Sequence, residues 1–84
     1  MTVMTDTQIQ DTIFSLLGQI APEADFSDLS PDEDVREALD IDSFDFLNFL
    51  IGLNEALQVE IPEADYGKLV SLNDIIIYLA ARMN

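Results

Sequence analysis

The 84 residues set the length of one domain, and a hydrophobic content of 49% is enough for a single compact core. Cysteine and histidine are absent, which excludes disulfides, thiolate metal sites and the usual activated nucleophiles and general bases, so no metal site and no self-sufficient active site are expected. The net charge of −14 disfavours binding to nucleic acid and insertion into anionic membranes, and favours a partner protein with a positively charged patch.

The first half of the chain predicts one helix and a long connection. Apolar residues recur at helical spacing over residues 7–20. Residues 1–6 are expected to form a flexible tail, and they lack the pattern of a signal peptide, which favours a cytoplasmic protein. Residues 21–42 are rich in acidic residues and indicate a loop, with a short helical turn after Pro31. The apolar residues expected to anchor this loop are Phe26, Leu29, Val35 and Leu39.

The second half of the chain predicts three further helices. The second long helix covers residues 43 to about 57 and ends before Pro62, which opens a short third helix to about Leu69. Ser71 and Asp74 match a capping box with Asp in place of Glu, and they start the last helix. The predicted fold is an all-α bundle of three main helices plus one short helix, with a long loop between the first and second, in a single domain over residues 1–84.

The second helix carries more apolar surface than one core needs. At about 100° per residue, one apolar stripe faces the core. Its members are Phe46, Phe49, Leu50, Leu53, Ala56 and Leu57. A second stripe lies on another side of the helix, flanked by polar and acidic positions. The stripe consists of Phe44, Leu47 and Ile51. The polar and acidic positions beside it are Asp45, Asn48, Gly52 and Glu55.

This second stripe is either covered by the loop or the third helix, or it is a docking face. Residues 37–67 contain eight carboxylates and no Lys or Arg, so the acidity of this region has no partner nearby in the sequence. Acidic positions beside an apolar ridge are typical of an electrostatically steered protein contact. The charge pattern therefore favours the docking face.

Ser43 directly follows Asp42 at the start of the second helix, where a serine is ordinarily an N-cap. The local sequence Leu39-Asp40-Ile41-Asp42-Ser43-Phe44, followed by a helix and Glu60-Ile61-Pro62, resembles the acyl carrier proteins, whose hallmark is Asp-Ser-Leu at this position. The resemblance covers most of the chain. It implies that a phosphopantetheinyl transferase moves 4′-phosphopantetheine from coenzyme A to Ser43, through a phosphodiester, and that the thiol of this arm holds an acyl group as a thioester. The chain would then be a carrier and not an enzyme.

The resemblance also implies roles for two further sets of residues. Recognition of basic surfaces on the transferase and on acyl-loading, synthase or acyltransferase enzymes is expected of Asp42, Phe44, Asp45, Leu47, Asn48, Ile51 and Glu55. Family members can shelter an acyl chain in the interior, and the matching positions are Phe49, Leu53, Leu57 and Ile61, which are core residues in any case.

Departures from the family pattern favour a specialised lipid or polyketide-type pathway alongside general fatty acid synthesis. Phe44 replaces the usual Leu, and Asn48 stands where an acidic residue is common. A peptidyl carrier is disfavoured, because that group usually has glycines where this chain has Ile41 and Asp42.

Other classes of protein fit the sequence less well. An EF-hand is disfavoured, because a loop that starts at Asp32 has Arg36 at its fifth position. A hydrolase that uses Ser43 lacks a histidine to activate it. The main alternative is an acidic adaptor without a prosthetic group, in which Ser43 is only a cap. In either case a monomer is expected.

Overall fold

The computed structural model describes residues 5–26 and 29–83, and within these ranges the chain is helical without a β-strand. The α-helices are α1 (Asp6–Ile20), α2 (Val35–Ala38), α3 (Ser43–Leu57) and α4 (Leu72–Met83). The predicted short helix after Pro62 is present as a 3₁₀ helix, Glu63–Lys68. The all-α bundle is therefore confirmed.

Local side-chain caps fix the starts of α1 and α4. The Thr5 side chain accepts a hydrogen bond from the Gln8 N–H at 3.2 Å, and the Gln8 side chain accepts one from the Thr5 N–H at 2.9 Å. The first helix thus begins at Asp6, one residue before the predicted start, and residues 1–4 of the predicted tail lie outside the described residues. Ser71 and Asp74 exchange the same pair of bonds, both at 3.1 Å, which confirms the predicted capping box.

The core lies where α1 packs against α3 and α4. Each of these helices contributes one apolar stripe. The buried members are Ile9, Ile13 and Leu17 of α1, Phe46, Phe49, Leu50 and Leu53 of α3, and Leu72, Ile75, Ile76 and Leu79 of α4. The prediction was wrong for Ala56, which is exposed because it lies at the edge of the stripe in the last turn of α3.

The connection between α1 and α3 is held to the bundle by its apolar residues, as predicted. The rings of Phe14 and Phe26 stack with their centroids 5.1 Å apart. Val35 is fully buried, and its N–H donates to the Val70 carbonyl at 3.0 Å. The short α2 begins at Val35 and not directly after Pro31, because the Asp34 side chain caps it. These contacts place α2 beside the chain segment that precedes α4.

Candidate functional site

Ser43 is the first residue of α3, and Asp42 caps this helix. The backbone of Asp42 is extended, and its Oδ1 accepts a hydrogen bond from the Asp45 N–H at 2.8 Å. The alternative in which Ser43 serves as the N-cap is therefore excluded, because the residue before it holds that position. Ser43 is exposed, and its hydroxyl makes no hydrogen bond with any residue of the described ranges. This hydroxyl is accessible for modification from outside.

The second apolar stripe of α3 is open to solvent. Phe44 is 70% exposed, Leu47 38% and Ile51 43%. The packing of the neighbouring segments thus leaves a substantial part of each side chain accessible. Asn48 and Glu55 are exposed as well, and Asp45 is half-buried. We call this surface, with Asp42 at its start, the α3 face.

Gly52 belongs to the contact between two helices and not to the α3 face. A Cβ atom at this position would lie 3.5 Å from Cδ2 of Leu16, which is an ordinary contact distance. Gly52 therefore faces α1. The predicted place of this residue on the polar flank of the second stripe was wrong, because a glycine has no side chain to mark an apolar contact.

Asp65 is the acidic residue of this region that the fold pairs with basic groups. It lies 3.3 Å from the Lys68 ammonium and 3.0 Å from the Arg82 guanidinium, and it accepts a hydrogen bond from the Tyr78 hydroxyl at 2.6 Å. The hydrogen bond from Tyr78 is the main cause that lowers the pKa of Asp65. The pKa of Tyr78 is raised, mainly by burial and next by the same hydrogen bond. These bonds fasten the 3₁₀ helix to α4.

The other carboxylates of residues 37–67 form no ion pair with the described residues, so the expected lack of partners holds for all of them except Asp65. No group of three or more acidic residues in the described ranges is arranged to hold a metal ion. The acidic residues around Ser43 therefore carry charges without ion-pair partners, which attract a basic partner surface.

A groove of about 610 Å³ opens beside Ser43, between α2, α3 and the segment that contains the 3₁₀ helix. Most of its lining is apolar: Phe44, Phe46, Leu47, Leu50, Leu69 and Val70. Polar side chains also reach it, and these include Asp34, Arg36 and Glu63. Phe44 and Leu47 thus belong both to this groove and to the α3 face.

The residues predicted to shelter an acyl chain lie elsewhere. Phe49, Leu53 and Ile61 are buried in the core and Leu57 is half-buried, and none of the four lines the groove beside Ser43. The groove residues Arg36, Tyr66 and Val70 were not predicted to belong to a site. Of these three residues, only Arg36 has a feature in the sequence that could have singled it out, because it is the only Lys or Arg before residue 68.

Comparison with known proteins is consistent with this geometry. Residues 8–79 match the family described as phosphopantetheine attachment site, a range that contains all of α3 and most of α1 and α4. The chain belongs to the acyl carrier protein family. The group that this family attaches is 4′-phosphopantetheine, and its members are carriers and not catalysts.

Two curated relatives named acyl carrier protein match this chain over most of their length. The chain is 34% identical to the acyl carrier protein of Syntrophobacter fumaroxidans over 73 residues, which are 87% of this chain and 84% of that protein. It is 29% identical to the acyl carrier protein of Campylobacter fetus subsp. fetus over 72 residues, 86% of this chain and 87% of that protein. Membership of the family disfavours the adaptor without a prosthetic group. In the described part of this acyl carrier protein, no helix has the length and apolar character needed to cross a membrane.

Proposed function

We propose that Ser43 carries the 4′-phosphopantetheine arm, and that the chain presents acyl groups, held as thioesters on this arm, to partner enzymes. The observation that carries the proposal is the free and exposed Ser43 hydroxyl within the region that matches the attachment family. Because Asp42 caps α3, modification of Ser43 breaks no bond on which the helix depends. Attachment is therefore compatible with the folded state.

The attachment step needs no catalytic group from this chain. The Ser43 oxygen forms a bond to the phosphorus nearest the pantetheine of coenzyme A, the pyrophosphate bond breaks, and adenosine 3′,5′-bisphosphate leaves. The transferase accepts the hydroxyl proton. The phosphodiester that results lies at the N-terminus of α3, where backbone N–H groups and the helix dipole favour an anion. The thiol that later bears cargo arrives with the arm, which is consistent with the absence of cysteine.

The α3 face is the surface that we assign to partner enzymes. Its apolar side chains are exposed and lie beside carboxylates without ion-pair partners, an arrangement suited to a basic surface with apolar pockets. The residues assigned are Asp42, Phe44, Asp45, Leu47, Asn48, Ile51 and Glu55. The partners expected are the transferase and the synthases or acyltransferases of fatty acid synthesis or of a specialised lipid or polyketide-type pathway.

Shelter of an acyl chain by Phe49, Leu53, Leu57 and Ile61 is a further part of this proposal. Leu50 lines the groove beside Ser43, and Leu53 follows it about one turn along the same helix. A chain that enters the groove would therefore pass Leu50 before it reaches the core. Loading with an eight-carbon acyl group should shift the methyl resonances of Leu53, whereas an acetyl group should leave them unchanged.

The experiment combines attachment and loading. The purified chain is incubated with coenzyme A and a broad-specificity phosphopantetheinyl transferase, and intact mass is measured before and after transfer of an acyl group to the new thiol. We expect one phosphopantetheinyl addition followed by one acyl addition, and neither in Ser43→Ala. Folded chain that gains no mass beside a control carrier that is fully modified would contradict the proposal.

Phe44 provides a test of the α3 face, and Ile77 of α4 is the matched control because it is 68% exposed and lies on a different helix. Phe44→Ala should reduce the kcat/KM of the transferase several-fold, by loss of an exposed apolar contact, and should change the free energy of unfolding by no more than about 0.5 kcal/mol. Ile77→Ala should leave kcat/KM unchanged. Equal losses in the two variants would contradict the assignment of the face.

A further inference from the structure

Attachment of the arm creates a negative charge in a region that is already negative. The phosphodiester on Ser43 would lie close to two carboxylates of the same helix start, those of Asp42 and Asp45. Glu63, which lines the groove, adds a third, and none of these carboxylates has an ion-pair partner among the described residues. The modified form therefore gains stability from any nearby cation that is free to approach the phosphate.

Arg36 is the cation that the fold places at this groove. The other two basic residues of the sequence, Lys68 and Arg82, both pair with Asp65. Arg36 forms no ion pair with any residue of the described ranges, and its side chain lines the same groove as Ser43. Its charge is thus not committed to a carboxylate of these residues.

The backbone holds the base of the Arg36 side chain in place. The Arg36 N–H donates to the Asp34 carboxylate at 2.9 Å, and its carbonyl accepts a hydrogen bond from the Ile41 N–H at 2.9 Å. The guanidinium carbon lies 6.0 Å from the centre of the Phe46 ring, over the apolar part of the groove. Asp34, the carboxylate that lines the groove beside Arg36, is occupied by the N–H groups at the start of α2.

We propose that Arg36 binds the phosphodiester of the arm on Ser43 and directs the arm into the groove. This inference rests on the proposed function. A guanidinium suits a phosphate because its planar set of N–H donors can meet two oxygens at once. The apolar lining, which includes Leu50 and Leu69, then contacts the arm beyond the phosphate. Since Phe44 and Leu47 are shared by the groove and the α3 face, an arm in the groove also covers one edge of the surface that partners bind.

A thermodynamic cycle between modification and the arginine tests this proposal. Unmodified and fully modified forms of the native chain, Arg36→Gln and Arg36→Lys are unfolded in urea and followed by circular dichroism. Modification should raise the unfolding equilibrium constant about two- to fivefold more in Arg36→Gln than in the native chain, the range typical of an exposed charge pair. Arg36→Lys should retain part of the effect, because it keeps the charge and loses the paired geometry.

Arg82→Gln is the matched control, since it removes the same charge from a residue that does not line the groove. Its response to modification should equal that of the native chain. The ³¹P resonance of the native modified form should move toward that of Arg36→Gln as added salt screens the pair.

Each result has a defined meaning. Full modification by intact mass, with equal responses in the native chain and Arg36→Gln, overturns this inference alone. An equal effect in Arg82→Gln also overturns it, because net charge would then be the cause. Coupling that appears only after loading with a succinyl group would assign Arg36 to a carboxylate of the cargo and overturn the phosphodiester assignment. If the native chain gains no mass, the proposed function fails and this inference fails with it.

Discussion

Replacement of Asp42 separates two roles that this residue combines: the cap of α3 and the negative charge at the start of the α3 face. Asp42→Ala removes both roles, because alanine has no oxygen to accept the bond from the Asp45 N–H, which is 2.8 Å long in the native chain. Loss of an N-cap costs about 1 kcal/mol, and in a domain of this size that lowers the melting temperature by about 4–8 °C. Asp42→Asn keeps an acceptor oxygen and removes only the charge, so it should cost at most about 0.5 kcal/mol.

The kcat/KM of the transferase should not follow the stability of the two Asp42 variants. Both Asp42 variants lose one charge on the surface that we assign to partners, so both should lower kcat/KM by about two- to fivefold at low salt, and the loss should shrink as salt is added. Asp11→Asn is the charge-matched control, because Asp11 is exposed on α1 away from this surface. Unfolding in urea gives the stability of each variant, and intact mass against time gives the rate. Equal destabilisation by Asn and Ala would refute the cap, and a native rate in Asp42→Asn would refute recognition of the charge.

Further predictions concern the helix contact at Gly52 and the bonds around Asp65. Gly52→Ala should raise the free energy of unfolding by up to about 1 kcal/mol, because alanine favours the helix and the added Cβ meets Leu16 at an ordinary distance; a lower urea midpoint would contradict this spacing. The Tyr78 hydrogen bond lowers the pKa of Asp65, so its stabilising effect is present above the ordinary carboxyl pKa and is lost as pH falls through the lowered value in the folded state. The native chain should therefore be more stable than Tyr78→Phe at neutral pH, by a margin that shrinks below about pH 4. A margin that does not change with pH, measured by urea unfolding, would contradict the assigned cause.

The sequence predicted the features that depend on neighbouring residues. The capping box of Ser71 and Asp74 involves residues three apart, and the apolar stripes of the helices follow from helical periodicity. The exposed second stripe of α3 was one of two alternatives, and the structure decided between them because burial depends on what packs nearby. The cap at Asp42 was not predicted, because both Asp42 and Ser43 can accept the bond, and the position where the extended backbone turns into the helix decides which one does.

The features that the sequence did not predict depend on residues far apart in the chain. Asp65 bonds to Tyr78 and Arg82, which lie 13 and 17 positions later and give no local signal. The groove beside Ser43 combines side chains from three separate segments, so its lining follows from the packing of α2 and the 3₁₀ helix against α3. Arg36 shows the same limit. Its isolation among acidic residues was visible in the sequence, but its place beside Ser43 was not.

The most direct test of the proposed function is to identify the residue that bears the arm. The modified chain is cleaved into peptides, and fragment ions are used to find the residue that bears the phosphopantetheinyl group. We predict a single site at Ser43, with Ser15, Ser30 and Ser71 unmodified, because Ser43 is the serine of the described ranges that combines an exposed hydroxyl, the start of α3 and an open groove. An arm on another serine, or a folded chain that a competent transferase leaves unmodified, would contradict the central claim.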